Sequence, residues 1–349
     1  MTKDPHNLKN KINYFFSKCE TLIPSHPWII PVVMHEYFRN IFPDDPYIPY
    51  PKEKSHSKRI FDVLENLIKL LETVEISIGS YEVNLNFNEL KETKFDTGKV
   101  YGSLWKELNN EEMHKGSIKY LEERWNNFGW YDKKFLEGKN VIDVGCGSGR
   151  YSVALSKMGA KSVLGVDYGR DGIEVGKKLI KDLGIKNVSF QQVNILDLPF
   201  LDNSYDFVFC NGVLHHTSDL EKGLSEVVRI SKKGAPIWLY LYGSVGIYWY
   251  SRKIMNKLMK KIPQNYTKLI NDAMGVPNTR WGFPDNWYVP IERHCSDSEM
   301  RKLFRINGIK KVFRLEKGRS TDLEHSANNN GEEGKHIWGD GELRYFIFK

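Results

Sequence analysis

The sequence predicts an α/β protein with a doubly wound, mostly parallel sheet of seven strands and a helical region before it. Three observations lead to this prediction. Short apolar runs alternate with helical patterns after residue 140, a glycine-rich turn follows the first run, and the earlier part of the chain shows only helical periodicity. With 349 residues, of which 40% are hydrophobic, the chain can bury a full core.

Residues 1–135 are predicted to form a helical N-terminal region. Apolar and aromatic residues recur at helical spacing from residue 8 to about 42, and four prolines in the segment 43–51 then prevent a continuous helix. A one-sided apolar stripe follows, which predicts an amphipathic helix. Its members are Ile60, Leu64, Leu67, Leu71 and Val74. The segment 96–131 is predicted to be mainly helical as well.

Residues 136–349 are predicted to form the second domain. Alternating apolar strands and helices are typical of crossover units, which build a parallel sheet that helices cover on both faces. The predicted strands are 140–144, 162–166, 188–193, 205–210, 236–242, 310–315 and 343–348. The alternation is interrupted by an insertion, 243–295, after the fifth strand. The polar run Gly318–Gly341 is predicted to be a surface loop rather than a mobile lid, because its composition does not favour a core.

A cofactor site is predicted where the first strand ends. In Ile142-Asp-Val-Gly-Cys-Gly-Ser-Gly149, three glycines alternate along a strand-to-helix turn, where the backbone can approach a ligand. Asp143 precedes them, and Asp167 ends the next strand, where a carboxylate can hold a ribose diol. A tight turn alone also explains the glycines, and NAD enzymes share the second acid. Their spacing is GxGxxG, however, and it receives a pyrophosphate, whereas GxGxG behind an acid favours a cofactor with ammonium and sulfonium groups.

Several further motifs follow in a fixed order. They are Asp143–Gly149, Val166-Asp167, Asn194–Phe200, Ser204–Val208, Leu214–His216, and Glu226–Arg229 with Lys233-Gly234. In this order, residues 138–242 resemble the small-molecule branch of the class I S-adenosylmethionine (SAM)-dependent methyltransferases, which includes the ubiquinone and menaquinone C-methyltransferases. The resemblance implies the class I methyltransferase fold, SAM as cofactor, S-adenosylhomocysteine (SAH) as product, and no metal.

The resemblance also implies where SAM would lie. The glycines are expected against its methionine part, the acid that ends the second strand against its ribose, and the residues after the third strand against adenine. The implied cofactor-binding residues are Asp143, Gly145, Gly147, Gly149, Asp167, Asn194, Ile195 and Asn211. The family usually has aspartate in place of Asn194, but an amide carbonyl can still accept from the adenine amino group. At Asn211 the expected contact is made by the backbone.

His216 and His294 are the candidate catalytic residues. A histidine can accept a proton near neutral pH, but it can also simply fill a loop beside a cofactor, as the pair His215-His216 usually does in this family. Cys146 and Cys210 are predicted to be small buried fillers.

The insertion 243–295 is predicted to cover the acceptor, because ligands of parallel sheets bind beyond the carboxyl ends of the strands. Its aromatic and polar side chains suit a partly apolar pocket. The candidate acceptor-binding residues are Tyr248, Trp287, Tyr288, Arg293 and His294. Aromatics that only pack on the domain are the alternative, in which case Tyr101, Trp105 and Arg124 would form the pocket.

Charge and composition limit the partners. The net charge is +7, but basic and acidic residues are interspersed, and Asn211-Gly-Val-Leu214 lacks the Pro-Pro-aromatic turn of base amino-methylating enzymes. No apolar stretch reaches the roughly 20 residues of a membrane span. Four distant cysteines indicate neither a zinc site nor a disulfide framework, and they suit the cytoplasm. A small-molecule acceptor is therefore expected. A tRNA or protein acceptor, or SAM binding without catalysis, stays open.

Overall fold

The computed structural model describes residues 5–41, 55–78, 101, 110–275 and 287–349. The chain divides into two compact units, each made of separate segments. The helical unit comprises the described residues of 1–94, 245–288 and 329–339, and the sheet unit those of 95–244, 289–328 and 340–349. These units are drawn differently from the domains 1–135 and 136–349, and the latter division stays a prediction.

The described residues form helices in both units. In chain order the helices are α1 (Pro5–Leu22), α2 (Ile29–Ile41), α3 (His56–Ile78), α4 (Asn110–Trp125), α5 (Arg150–Lys157), α6 (Arg170–Asp182), α7 (Leu220–Ile230), α8 (Gly246–Met259), α9 (Gln264–Ala273), α10 (Asp297–Ile306), α11 (Leu323–Asn329) and α12 (Gly331–Trp338). A short 3₁₀ turn, Leu214–His216, precedes α7. Within the described ranges, no helix is both long enough and apolar enough to cross a membrane.

The sheet unit contains the seven predicted strands. They are β1 (Asn140–Val144), β2 (Ser162–Asp167), β3 (Val188–Gln192), β4 (Phe207–Asn211), β5 (Pro236–Tyr242), β6 (Lys311–Arg314) and β7 (Glu342–Phe348). Their order across the sheet is β3-β2-β1-β4-β5-β7-β6, and β7 is antiparallel to both of its neighbours. The order reverses direction between β1 and β4, which is the point where open α/β sheets bind ligands.

Both faces of the sheet are buried, because successive residues of a strand point to opposite sides. On one face, Ile142 and Val208 belong to a core with residues of α7 and α10. On the other face, Val141 and Phe207 pack with Trp125 of α4, whose ring centroid lies 5.9 Å from that of Phe207. The helix that carries Trp125 therefore belongs to the sheet unit, although it precedes the predicted boundary at residue 135.

The helical unit packs α1, α2 and α3 together with α8, α9 and α12. The predicted stripe on α3 is confirmed, since Ile60, Leu64 and Leu71 are buried. The hydroxyl groups of Tyr37 on α2 and Ser251 on α8 are hydrogen-bonded at 2.7 Å.

The prediction of a surface loop for Gly318–Gly341 is wrong, because this segment contains α11 and α12. In the helical unit, Trp338 is fully buried and its indole N–H donates to the carbonyl of Ile41 at 3.2 Å. In the sheet unit, Glu324 is fully buried and pairs with Arg344. The polar composition of the segment predicted neither buried residue, because one large ring and paired charges can be buried in an otherwise polar stretch.

Candidate cofactor and acceptor site

The glycine-rich turn lies at the carboxyl end of β1 and leads directly into α5. Gly145 and Gly149 have φ angles of 75° and 80°, in the left-handed region that favours glycine. A Cβ on Gly145 would lie 2.1 Å from Cγ2 of Val213, and one on Gly149 would lie 2.3 Å from Cζ of Phe190. Packing within the domain therefore already requires glycine at these two positions.

Asp167, at the end of β2, is bonded to the same turn. Its Oδ2 accepts from the backbone N–H of Gly147 at 2.9 Å, and its Oδ1 accepts from the N–H of Gly169 at 2.7 Å. Burial raises the pKa of Asp167, and these backbone donors oppose the rise. Each carboxylate oxygen has further lone-pair capacity, so the group can still accept from a ribose diol.

Asp143 lies beneath the turn and is almost fully buried. Its Oδ2 accepts from the Ser152 hydroxyl at 2.6 Å. The pKa of Asp143 is raised to about 7, chiefly by burial and also by the nearby Asp167 charge, while the hydrogen bond from Ser152 opposes the rise. A cationic group nearby would favour the ionised carboxylate.

Ser148, inside the turn, adds a direct indication of a ligand. Its hydroxyl is buried, and within the described part of the chain it has no hydrogen-bond partner. Buried polar groups are rarely left unpaired, so this hydroxyl fits a site where a polar cofactor or an ordered water completes the bonding.

Asn194 and Asn211 are both engaged within the sheet unit. Oδ1 of Asn194 accepts from the N–H of Leu196 at 3.0 Å, which fixes the turn after β3. Oδ1 of Asn211 accepts from the indole N–H of Trp238 at 2.9 Å, so the predicted cofactor contact at Asn211 depends on its backbone. Ile195 is partly buried against the core.

Arg229 and Glu226 hold the predicted adenine segment in place. The Arg229 guanidinium donates to the carbonyls of Leu198 at 2.9 Å and Phe200 at 2.6 Å, while Glu226 accepts from the N–H of Leu198 at 2.8 Å. Arg229 and Glu226 are also paired with each other. The motif Glu226–Arg229 was recognisable in the sequence, but this supporting role was not.

His216 is held from two sides. Its Nδ1 lies 2.8 Å from the carbonyl oxygen of Ile291, and its Nε2 lies 3.0 Å from the hydroxyl of Tyr101. Since a carbonyl only accepts, Nδ1 must carry the proton, and in the neutral ring Nε2 accepts from Tyr101. The neighbouring His215 is fully buried and stacked on Tyr242, with ring centroids 3.9 Å apart.

The last residues of the predicted insertion lie at the carboxyl ends of β4 and β5. The N–H of Arg293 donates to the carbonyl of His215 at 2.9 Å, and that of Cys295 donates to Tyr242 at 3.2 Å. The Arg293 guanidinium pairs with Glu221 at 2.7 Å and Glu299 at 2.6 Å. Its charge is therefore paired with carboxylates on α7 and α10, which the sequence did not indicate.

His294 lies beside these contacts. Its Nε2 is hydrogen-bonded to Oε1 of Glu292, and its ring centroid lies 6.5 Å from that of Tyr242. A carboxylate that accepts from one ring nitrogen orients the imidazole and leaves the other nitrogen as the basic one.

The remaining candidate acceptor residues belong to the helical unit. Tyr248, Trp287 and Tyr288 are each at most 3% exposed. The hydroxyl of Tyr288 is hydrogen-bonded to Thr267 at 2.6 Å. These rings form part of that unit's core, and their role toward an acceptor stays a prediction.

Of the alternative pocket residues, Tyr101 bonds to His216 as described, whereas Arg124 forms a two-pronged ion pair with Asp322 at 2.8 and 2.6 Å. Trp105 lies outside the described residues. Cys146 and Cys210 are buried, and burial raises the pKa of both thiols, which disfavours the nucleophilic thiolate.

Sequence reasoning missed a buried charge cluster at the carboxyl end of β5. Arg344 on β7 is bonded to three carboxylates and lies 4.5 Å from the ring centroid of Tyr240. The carboxylates belong to Asp322, Glu324 and Glu342. Their oxygens lie within 4.8 Å of one another, and Arg344 supplies compensating positive charge. The members come from two separate segments, 322–324 and 342–344, so no single local motif predicts the cluster.

A comparison with known proteins finds similarity in the part of the chain that carries the glycine turn. Residues 136–278 match the family described as a methyltransferase domain. An uncharacterized methyltransferase of Bacillus subtilis, YcgJ, is 37% identical over 93 residues, which are 27% of this chain and 36% of that protein. Its crystal structure covers 68% of this chain and 96% of its own, at 20% identity and a TM-score of 0.40.

Two further relatives have named substrates. Demethylmenaquinone methyltransferase of Geobacillus stearothermophilus is 32% identical over 153 residues, which are 40% of this chain and 65% of that protein. Norajmaline N-methyltransferase of Rauvolfia serpentina is 28% identical over 139 residues, 39% and 48% of the respective chains. The chain thus spans between about a third and two thirds of the length of these relatives. The strand order and the glycine turn agree with this match of residues 136–278 to a methyltransferase domain.

Proposed function

We propose that the protein transfers a methyl group from SAM to a small-molecule acceptor by direct displacement. The observation that carries the proposal is the bond between Asp167 and Gly147, which joins the acid predicted to bind ribose to the glycine turn at the ligand edge of the sheet. The match to a methyltransferase domain supports it, as do the two relatives whose names contain a small-molecule substrate.

In this proposal each part of the turn binds a different part of SAM. The backbone of Gly145, Gly147 and Gly149 lies against the methionine moiety, and Asp143 attracts its ammonium group. Asp167 accepts from the ribose hydroxyls. Asn194 and Ile195 flank adenine, and the Asn211 backbone meets the amino acid end. Ser148, with its buried hydroxyl, supports a polar ligand here.

SAM would supply a methyl group that its sulfonium already activates. What the protein must add is alignment of the acceptor and a destination for its proton. His216 and His294 are proposed for the second task, since each ring has one nitrogen held by an acceptor and the other basic. Arg293 and the rings of Tyr248, Trp287 and Tyr288 are proposed to act in acceptor binding.

We also propose a cytoplasmic location. The four cysteines are free and buried in the structure, which suits a reducing compartment.

The proposal is tested in two steps. Calorimetry with SAM and SAH should show binding to the purified protein. Labelled SAM should then transfer methyl to a component of a small-molecule extract, and mass spectrometry would identify the product. Labelling of tRNA or protein alone would favour a macromolecular acceptor, and SAH binding without transfer to any fraction would favour a non-catalytic protein.

A further inference from the structure

Tyr101 and His216 are 115 residues apart in the sequence, yet they meet at the ligand edge of the sheet unit. The 3₁₀ turn that carries His216 is anchored to the glycine turn, because the His216 N–H donates to the carbonyl of Val213 at 2.9 Å and the Val213 side chain packs against Gly145. The imidazole is thus fixed to the same backbone that is proposed to hold the cofactor.

The direction of the hydrogen bonds is determined by the Ile291 carbonyl. It accepts from Nδ1, so Nε2 holds the lone pair, and the Tyr101 hydroxyl donates to it. A phenol oxygen can accept a proton while it donates its own. His216 is 9% exposed, whereas Tyr101 is only partly buried, so Tyr101 is the more exposed residue of the pair.

We propose that Tyr101 and His216 form a proton relay that deprotonates a phenolic acceptor; this inference rests on the proposed methyl transfer. As the methyl carbon bonds to the acceptor oxygen, its bond to sulfur breaks and the electron pair stays on sulfur. The acceptor proton passes to the Tyr101 oxygen, while the Tyr101 proton passes to Nε2 of His216. The products are the methyl ether, neutral SAH and an imidazolium ion that later releases its proton to solvent.

The chemistry selects the acceptor class. A relay through a tyrosine hydroxyl, whose ordinary pKa is about 10, matches a phenol of similar acidity. An aliphatic hydroxyl has a pKa close to that of water, about 15.7, so it would need much stronger assistance from a base than a phenol does. A neutral amine attacks through its lone pair and needs no base beforehand. Beside the relay, Tyr242 offers an aromatic wall, with its ring centroid 5.3 Å from that of His216.

The experiment uses 4-nitrophenol, because its phenolate absorbs visible light and reports its own ionisation. The probe is titrated with pH in the presence of protein saturated with SAH. For the parent protein, we expect bound 4-nitrophenol to ionise at least one pH unit below the free probe, a tenfold shift in the equilibrium. The same titration is repeated on variants of the titratable neighbours of His216. Tyr101 and Tyr242 are replaced by phenylalanine, and His215 is replaced by asparagine.

Tyr101→Phe removes the relay hydroxyl, and His216→Asn removes the base while keeping an N–H donor for the Ile291 carbonyl. Both should lose most of the shift while SAH affinity and melting temperature stay close to the parent values. Tyr205→Phe is the matched control: this half-buried tyrosine precedes β4, at the opposite edge of the sheet, and should keep the shift. A full shift in Tyr101→Phe and His216→Asn, or no binding of 4-nitrophenol to SAH-loaded parent protein, would overturn the relay. Failure of the parent to bind SAH would instead overturn the proposed function.

Discussion

Asp167 offers the sharpest test of the site, because its carboxylate is used by the protein even without cofactor. The two oxygens accept from the N–H groups of Gly147 and Gly169, at 2.9 and 2.7 Å. Replacing Asp167 with alanine would therefore release the glycine turn and the start of α6 together. If SAM binds as proposed, the same change also removes the acceptor for the ribose hydroxyls.

The magnitude follows from these two bonds. A hydrogen bond to a charged group contributes about 1.5 to 3 kcal/mol, and water replaces part of this at a partly buried site. We therefore expect Asp167→Ala to lower the free energy of unfolding of the ligand-free protein by about 2 to 4 kcal/mol. That loss lies below the roughly 5 to 15 kcal/mol of a typical domain, so the variant should still fold.

Cofactor affinity should fall as well. Loss of the ribose contacts and of the preformed turn should weaken SAH binding by at least about 30-fold, or roughly 2 kcal/mol. In Asp167→Asn, one amide oxygen can still accept while the amide nitrogen cannot, so both losses should be intermediate. Urea denaturation measures the loss of stability, and calorimetry with SAH measures the loss of affinity.

Glu174→Gln is the matched control, because it removes an exposed carboxylate from α6 that pairs with Lys177 on the same helix. It should leave the free energy of unfolding and the free energy of SAH binding within about 0.5 kcal/mol of the parent values. The reasoning is refuted if Asp167→Ala keeps the parent stability, since the turn would then not depend on this carboxylate. Unchanged SAH affinity would remove Asp167 from the cofactor site.

Further tests address other parts of the site. Gly147 has a φ of 54°, so Gly147→Val adds strain of about 1 to 2 kcal/mol and should abolish SAH binding in a protein that circular dichroism shows to be folded; retained binding would mean that the glycines form only a turn. Because the pKa of Asp143 is raised to about 7, protons should compete with the SAM ammonium, and affinity measured by calorimetry should fall as pH decreases below 7, whereas Asp143→Asn should bind weakly with little pH dependence. His294→Ala should lower methyl transfer at least about tenfold, or 1.4 kcal/mol, at nearly unchanged SAH affinity, and parent-like rates would exclude it from the acceptor site. The Trp287 ring is 3% exposed, so Trp287→Ala should cost about 3 to 5 kcal/mol of stability in a thermal melt, and any loss of transfer must be measured at a temperature where the variant is folded.

The local sequence was sufficient for the central part of the fold. Apolar runs and helical patterns identified the strands β1 to β5 and the helices between them, because each element's period is a property of neighbouring residues. The glycine turn and Asp167 were also identified from spacing alone, and the structure brings them together through the bond to Gly147. The antiparallel placement of β7 between β5 and β6 was not predictable from these patterns.

Segments whose stability depends on distant partners were predicted poorly. The polar composition of Gly318–Gly341 indicated a loop, but Glu324 is buried there by pairing with Arg344 of β7. Similarly, Trp125 of α4 is fully buried in the core of the sheet unit, and the helical pattern of 96–131 did not indicate this packing. In both cases the favourable interaction is made by residues from another part of the chain.

The sequence by itself determined the class of the domain and its cofactor motif, because these depend on short-range periodicity and on a glycine turn between a strand and a helix. Only the tertiary structure decided which side chains come together at the ligand edge. The sequence suggested Arg124 and Arg293 as acceptor-binding candidates, and the structure adds that both form ion pairs with residues of other segments. Tyr101 and His216, 115 residues apart, carry no shared motif, and their bond exists because the fold places both side chains at the end of β4.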